Sequence, residues 1–264
     1  MTTDVHPTAV VAAGAELAAG VVVGPYSIGG GHVRIGAGTR VCSHAVVDGR
    51  TTIGENNTIF HHASVGAVPQ DLKFHGEDSV LEIGDRNVIR EFATLHLGTE
   101  NGGMVTRIGD ANLVMNYAHV GHDCILGDGN ILANGAQLGG HVTTQDFVRV
   151  GALAGEHQFA RLGEGAIVGA GAMVSQDIPP YCTASGDRAR LFGLNLEGLK
   201  RMGKTADAVT RLKRAYRLVF RSQEKLADAL AQARAELGGL AEVDRFLSFI
   251  EESERGVARD ARAG

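Results

Sequence analysis

From Val5 to Val174 an aliphatic residue returns every six positions, and this period constrains the fold more than any other feature of the chain. Hexads begin VGPYSI at Val23, IGAGTR at Ile35, IGENNT at Ile53, IGDRNV at Ile83, LGDGNI at Leu126 and LGEGAI at Leu162. The frame covers 5–65, resumes at 83 for three hexads and runs unbroken from 108 to 174. Across these 26 hexads the first position is Val, Ile or Leu except at Gly29, Thr144 and Glu156. A helix repeats its apolar positions about every 3.6 residues and a half-buried strand every 2, so neither fits. A prism does fit. Three hexads, each a short strand and a corner, close one triangular coil. First positions then point inward and stack at roughly the 4.8 Å spacing of paired strands. The 37 glycines, with Asn and Asp late in the hexads, suit tight corners, several at positive φ. A disordered glycine-rich tract would not hold an aliphatic in register over such a length.

Two stretches break the frame, QDLKFHGEDSVLE at 70–82 and LGTENGGMVTR at 97–107, and a solenoid accommodates insertions as external loops. The pattern ends at Asp177-Ile178-Pro179-Pro180, where consecutive prolines are expected to stop the ladder. The chain therefore divides into a parallel β-helix over 1–184 and a helical domain over 185–264. In the latter Val209, Leu212, Tyr216, Val219 and Phe220 recur at helical spacing. Leu226, Leu230, Ala233 and Leu237 follow, and then Val243, Phe246, Leu247 and Ile250. Three or four helices are expected from about 191 to 256, with Gly238-Gly239 as a stop and a frayed basic tail. Residues 200–221 hold eight Lys or Arg against one Asp. Such a run is either a solvated helix face or a docking surface for an acidic partner or a phosphate-bearing ligand.

The remaining composition narrows the function classes. A net charge of −5 argues against a general nucleic-acid binder. Cys42, Cys124 and Cys182 have no paired spacing, which suggests a reducing compartment. No basic leader and no apolar run of about 18 residues is present, so no integral membrane segment and a cytoplasmic location are expected.

The six-residue clock also sorts the histidines of NYAHVGHDC, residues 116–124. Gly140 follows His122 by three whole hexads, hence lies one coil above it on the same face, with His141 beside it. Asn116 and Asn134 have the same separation, and a structural corner ladder is the favoured reading of that pair. His122 sits near a corner and not among the stacked aliphatics; His119 ends the preceding hexad. A neutral histidine suits a general base at pH 7, and a backbone N–H at a glycine suits an oxyanion donor. The spacing permits acyl transfer to a hydroxyl without excluding a structural cluster. A zinc hydratase with His96, His119 and His122 as ligands is another reading. Asp123 meets His122 only if a corner falls between them, because neighbours on a strand point to opposite faces.

NYAHVGHDCILGD, LGGHV at 138–142, GEHQF at 155–159, QDLKFHGE at 70–77 and NLEGLKR at 195–201 resemble the UDP-N-acetylglucosamine O-acyltransferase family. The resemblance spans nearly the whole chain. It implies a left-handed parallel β-helix with a C-terminal α-helical domain, although the usual preference for right-handed crossovers points the other way. It implies transfer of a 3-hydroxyacyl group from acyl carrier protein to the 3-hydroxyl of UDP-N-acetylglucosamine, the first committed step of lipid A biosynthesis. No cofactor and no metal are implied. By the same resemblance His122 is the base, Asp123 its orienting acid and Gly140 the oxyanion donor. Lys73, with Asp71 and Gln70, would reach the nucleotide sugar, while His96, His119, His141 and His157 line the cleft. Gln158, Asn195, Glu197 and Arg201 resemble nucleotide and phosphate contacts. One residue on, a second basic residue is frequent in the family, whereas this chain has Met202. Ala170 matches the acyl-chain ruler, where glycine permits longer chains, so an intermediate chain length is implied. A homotrimer with the site between neighbouring prisms is also implied. The zinc enzymes of this fold usually space their last two histidines five apart, against three here. A 3-amino acceptor, giving an amide, stays open. The related N-acyltransferase carries an extra N-terminal uridine-binding domain, which hexads starting at Val5 do not suggest.

Overall fold

The structure, a computed structural model, describes residues 2–262. Most strands are two residues long and pair in parallel with the strand one coil away: Asp4–Val5 on Val22–Val23, Val10–Val11 on Ile28–Gly29, Glu16–Leu17 on Arg34–Ile35. Three sheets of eleven, nine and eight strands form the faces of a triangular prism. The first-position aliphatics fill its interior; Ile53, Ile59, Ile89, Leu95, Ile108, Leu132, Leu138 and Leu162 are fully buried. Each is worth about 1.5–3 kcal/mol relative to exposure, which is why the frame survives so many coils. A column of alanines, Ala45, Ala63, Ala93, Ala118, Ala136, Ala154 and Ala172, fills the narrow corner between the first and second faces.

Corners carry the positive φ values, and their side chains stack along the prism axis. Tyr26, His44, His62, Phe92 and Tyr117 all have φ near +60 and form one exposed column of rings with centroids 4.9–5.2 Å apart. At the corner from the third face to the first, buried Asn57, Asn87, Asn112 and Asn130 form a ladder. Each side-chain oxygen accepts a backbone N–H one coil on, at 2.7–2.8 Å. The expected Asn116–Asn134 ladder is not the one formed: the Asn116 amide donates to Glu91 at 3.1 Å instead. Position five of the hexad faces inward and can satisfy backbone donors, whereas Asn116 and Asn134 stand at position three.

Both insertions are shorter than the frame suggested. Val80–Ile83 and Val105–Ile108 are strands of the third face, paired with each other, so residues 80–82 and 105–107 belong to the prism. Leu81 and Thr106 point inward two residues before the frame resumes, and burial extends the strands backwards.

The prolines do not end the ladder. Ile178 N–H donates to Arg161 O and Tyr181 N–H to Glu164 O, so the two residues without an N–H stand where no ladder donor is required. Cys182–Ser185 then pairs in parallel with Ile167–Val168 and turns back as an antiparallel hairpin with Arg190–Leu194. Helix therefore begins later than the expected 191. The helices are α1 (Leu196–Arg201), α2 (Ala206–Arg221), α3 (Leu226–Leu237) and α4 (Ala241–Glu251). Asn195 caps α1 and Thr205 caps α2 through their side-chain oxygens. Leu212, Tyr216 and Val219 of α2 bury against Leu230 and Ala233 of α3 and Val243, Phe246 and Leu247 of α4. The tail is not frayed as far as it is described: Val257 bridges to Asp177 and Asp260 to Leu191, while 263–264 lie outside the described residues. No helix among the described residues is long and apolar enough to cross a membrane.

Candidate active site

The site grows from the corner between the second and third faces, just after the strand His119–Val120. Asp123 has φ +60, the corner that lets its side chain turn back to its neighbour. Its Oδ2 lies 2.7 Å from Nδ1 of His122, and the carboxylate is buried. Thr99 fixes it further, its N–H donating to Oδ1 at 2.7 Å and its hydroxyl to Oδ2 at 2.6 Å. Asp123 N–H donates to the Thr106 hydroxyl at 2.7 Å. Gly102 packs so closely on the carboxylate that any Cβ there would collide with it. A carboxylate on Nδ1 leaves Nε2 of His122 directed at the cleft as the available proton acceptor.

Gly140 lies against that edge of the ring. A Cβ on Gly140 would be 2.6 Å from Nε2 and Cε1 of His122, so a glycine is required by close approach. Among the described residues nothing accepts its N–H, while Gly139 N–H is bonded to Glu156 O and His141 N–H to His122 O. His141 stands edge-on to His122 with ring centroids 5.1 Å apart, its Nε2 3.7 Å from Asp123 Oδ2, and Phe159 stacks on its other side at 4.3 Å.

A cleft of about 360 Å³ opens here, lined by Gln70, His96, His119, His122, Gly140, His157 and Gln158, among others. His119 is bonded through Nδ1 to Thr94 Oγ1 at 2.8 Å, and His96 through Nδ1 to Val68 O at 2.7 Å. Burial pushes the pKa of His119 down to about 4, helped by His96 and His122, and lowers those of His96 and His141 as well. These three rings are therefore more easily held neutral, which avoids crowding positive charge around His122. The nitrogens of His96, His119 and His122 do not gather into a ligand set. The group among the described residues whose donor atoms lie within 4.8 Å of one another is His122, Asp123 and His141.

The sequence-named residues beyond this cleft fall into three places. Asp71 and Lys73 are on the exposed loop, where Asp71 Oδ1 accepts Lys73 N–H at 3.0 Å and the Asp71 charge favours protonation of His141. Asn195 and Arg201 line a separate cleft, and Glu197 is exposed on the first turn of α1. The Asn195 side chain is committed: it accepts from Gly198 N–H at 2.8 Å and donates to Gly165 O at 2.9 Å. Ala170 is exposed at a corner and lines neither cleft. Sequence reasoning missed Thr99, Thr106 and Gly102. Their signal was the register, because the coil carrying the second insertion runs from Thr94 to His119, longer than three hexads, and so brings 98–99 beside Asp123.

Half of the basic run is ion-paired. Arg211 pairs with Asp207, Arg214 with Glu236, Arg221 with Asp260, and Lys204 with Glu164 and Glu242. The Arg211 pair lies within α2, the Arg214 pair joins α2 to α3, and Lys204 links the helical domain to the prism through Glu164.

Fold and site define an acyltransferase built on hexapeptide repeats. Residues 106–140 match the bacterial transferase hexapeptide family (six repeats), and 177–258 match the family described as Udp N-acetylglucosamine O-acyltransferase, domain 2. The chain is 52% identical over 255 residues to the acyl-[acyl-carrier-protein]–UDP-N-acetylglucosamine O-acyltransferase of Anaeromyxobacter dehalogenans, covering 97% of this chain and 99% of that one. Among solved structures it is similar to LpxA from Acinetobacter baumannii, with a TM-score of 0.94, 43% identity, and 97% and 99% of the two chains covered. The Arabidopsis UDP-N-acetylglucosamine acyltransferase matches with a TM-score of 0.85 at 37% identity, covering 98% and 99%. The chain belongs to the UDP-N-acetylglucosamine O-acyltransferase family, and its prism is the left-handed parallel β-helix.

Proposed function

We propose that this enzyme transfers a 3-hydroxyacyl group from acyl carrier protein to the 3-hydroxyl of UDP-N-acetylglucosamine, the first committed step of lipid A biosynthesis. The observation that carries the mechanism is the pair of contacts on one ring: Asp123 on Nδ1 of His122 at 2.7 Å, and Gly140 against its Nε2 edge. Asp123 fixes the tautomer in which Nδ1 carries the proton. Nε2 removes the proton of the sugar hydroxyl as its oxygen attacks the thioester carbonyl. The Gly140 N–H donates to the oxyanion that forms. Collapse breaks the carbon–sulfur bond, and the imidazolium returns its proton to the departing thiolate, leaving an ester and a free thiol. His96, His119, His141, His157, Gln70 and Gln158 surround the acceptor, with Asp71 and Lys73 closing over it from the loop.

In this reading Arg201, Glu197 and Asn195 serve a cleft completed by a neighbouring copy in a homotrimer. Arg201, whose fork suits phosphate, makes the contact, and Asn195 positions α1 by its cap. Ala170 then faces the acyl chain only across such an interface, and Ala170→Met is expected to shift the preferred donor to a shorter chain.

The experiment is turnover of UDP-N-acetylglucosamine with a panel of 3-hydroxyacyl carrier proteins. Ester product with one preferred chain length supports the proposal; no product with any donor, or amide formation on a 3-amino sugar alone, defeats it.

A further inference from the structure

A second cleft of about 350 Å³ lies where α1 meets the first face of the prism, and it shares no lining residue with the histidine cleft. Arg149, Arg201, Lys204 and Glu164 are the charged residues in its wall. Lys204 Nζ lies 3.3 Å from Glu164 and 3.3 Å from Glu242, and Glu164 also pairs with Arg245. Those four charges cancel. Arg149 and Arg201 meet no carboxylate within ion-pair distance among the described residues, in contrast to Arg211, Arg214 and Arg221 of α2. The cleft is thus left with two uncompensated guanidinium groups. Two like charges in one partly enclosed space repel, and an anion between them removes that repulsion. Planar guanidinium forks match phosphate oxygens in pairs.

The residue after Arg201 does not supply the second charge. Met202 turns into the wall, its methyl group where a Cβ on Gly165 would come within 2.6 Å, and it packs on the hydrophobic core. The charge comes instead from the prism, from the first residue of the strand Arg149–Val150.

We propose that Arg149 is a substrate-binding residue that works with Arg201 to hold the diphosphate of the nucleotide-sugar acceptor. The inference rests on the acceptor reading given above. The acceptor spans both clefts where those of neighbouring copies face each other, its sugar at His122 of one and its diphosphate at Arg149 and Arg201 of the next.

The test is steady-state kinetics of the full-length enzyme, varying UDP-N-acetylglucosamine and the acyl donor separately. Arg149→Gln is expected to raise the acceptor KM about tenfold or more, leaving kcat at saturation and the donor KM within about twofold. Arg149→Lys should recover part of the loss, and adding Met202→Arg to Arg149→Gln should recover more. Arg40 holds the same position on the same face several coils away, so Arg40→Gln is the control and should leave every constant unchanged. An unchanged acceptor KM in Arg149→Gln overturns the proposal, and so does a rise confined to the donor KM, which would put the donor's phosphate in this cleft. Calorimetry separates this idea from the acceptor reading. If the wild-type enzyme makes no product, the acceptor reading fails, while Arg149→Gln must still weaken UDP binding and spare uridine. Equal loss for UDP and uridine, or no loss, defeats the role of Arg149.

Discussion

Two corners of the same prism show how a repetitive scaffold acquires chemistry. At the corner from the third face to the first, position three of the hexad is filled by Asp85, Asp110, Asp128 and Asp146. Each carboxylate accepts the N–H of the equivalent residue one coil before, at 2.7–2.9 Å. With the asparagine ladder beside it, that corner has its position-three donors capped from Glu55 to Asp128. At the corner from the second face to the third, position three is His122 and then Gly140. Among the described residues neither N–H has an acceptor there. Gly140 has no side chain with which to cap the coil below, and the space it leaves is taken by the His122 ring. The difference lies in which N–H groups are left for a ligand. A buried unsatisfied donor is costly, but one at the wall of a cleft is a ready oxyanion partner.

The largest expected effect at the open corner is His122→Ala, which should lower kcat/KM by about 10²–10⁴ with the circular dichroism spectrum and oligomer size unchanged. Gly140→Ala comes next. Its Cβ pushes on the ring and the donor, so kcat should fall by about 10²–10³ while thermal unfolding moves little. Normal turnover in the Gly140→Ala enzyme would remove the distinction between the corners.

A third substitution separates leaving a group unpaired at the surface from leaving it unpaired inside. Glu156 occupies an inward first position, buried, with no partner for either carboxylate oxygen among the described residues. Burial pushes its pKa up to about 8 from the ordinary 4.5. The folded protein thus keeps a proton that the unfolded chain releases, and stability falls as the pH rises from 4.5 to about 8. Glu156→Val should raise stability at pH 7 by about 3 kcal/mol and flatten that pH dependence in denaturant titrations. The smallest effect is expected at the closed corner. Asn112→Ala should cost about 1–3 kcal/mol by orphaning the Asn130 N–H, with kcat/KM unchanged.

The coil was legible in the sequence because one physical demand, burial of an aliphatic, recurs at a fixed interval. Glu156 and Thr144 do not disturb the frame, since their neighbours in the stack hold it. The pairing of His122 with Gly140 followed from the same interval. What was hidden depends on single backbone angles and on contacts outside the repeat. The direction of Asp123 is decided by a φ of +60, and its hold on His122 by Thr99, in a segment with no period of its own. The Cys182–Leu194 hairpin was hidden for a similar reason: its strands flank Gly186 and bury alternate residues too briefly to show a period. The resemblance pointed to Asn195 as a ligand contact, and no period in the sequence showed that the same amide also caps α1 and donates to Gly165 O.

The second insertion carries a consequence for how such an enzyme can change. Thr94 pairs with His119, a little more than four hexads on, where an uninterrupted coil returns after three, as from Asp4 to Val22. Excising the surplus would make the prism more uniform, and each coil would still find its neighbours. It would also delete Thr99 and Gly102, which clasp Asp123 from outside its own corner and the adjoining strand. Regularity and turnover are therefore rival ends for this stretch of chain. Drift towards the tidier solenoid is expected to keep the prism and release the Asp123 carboxylate.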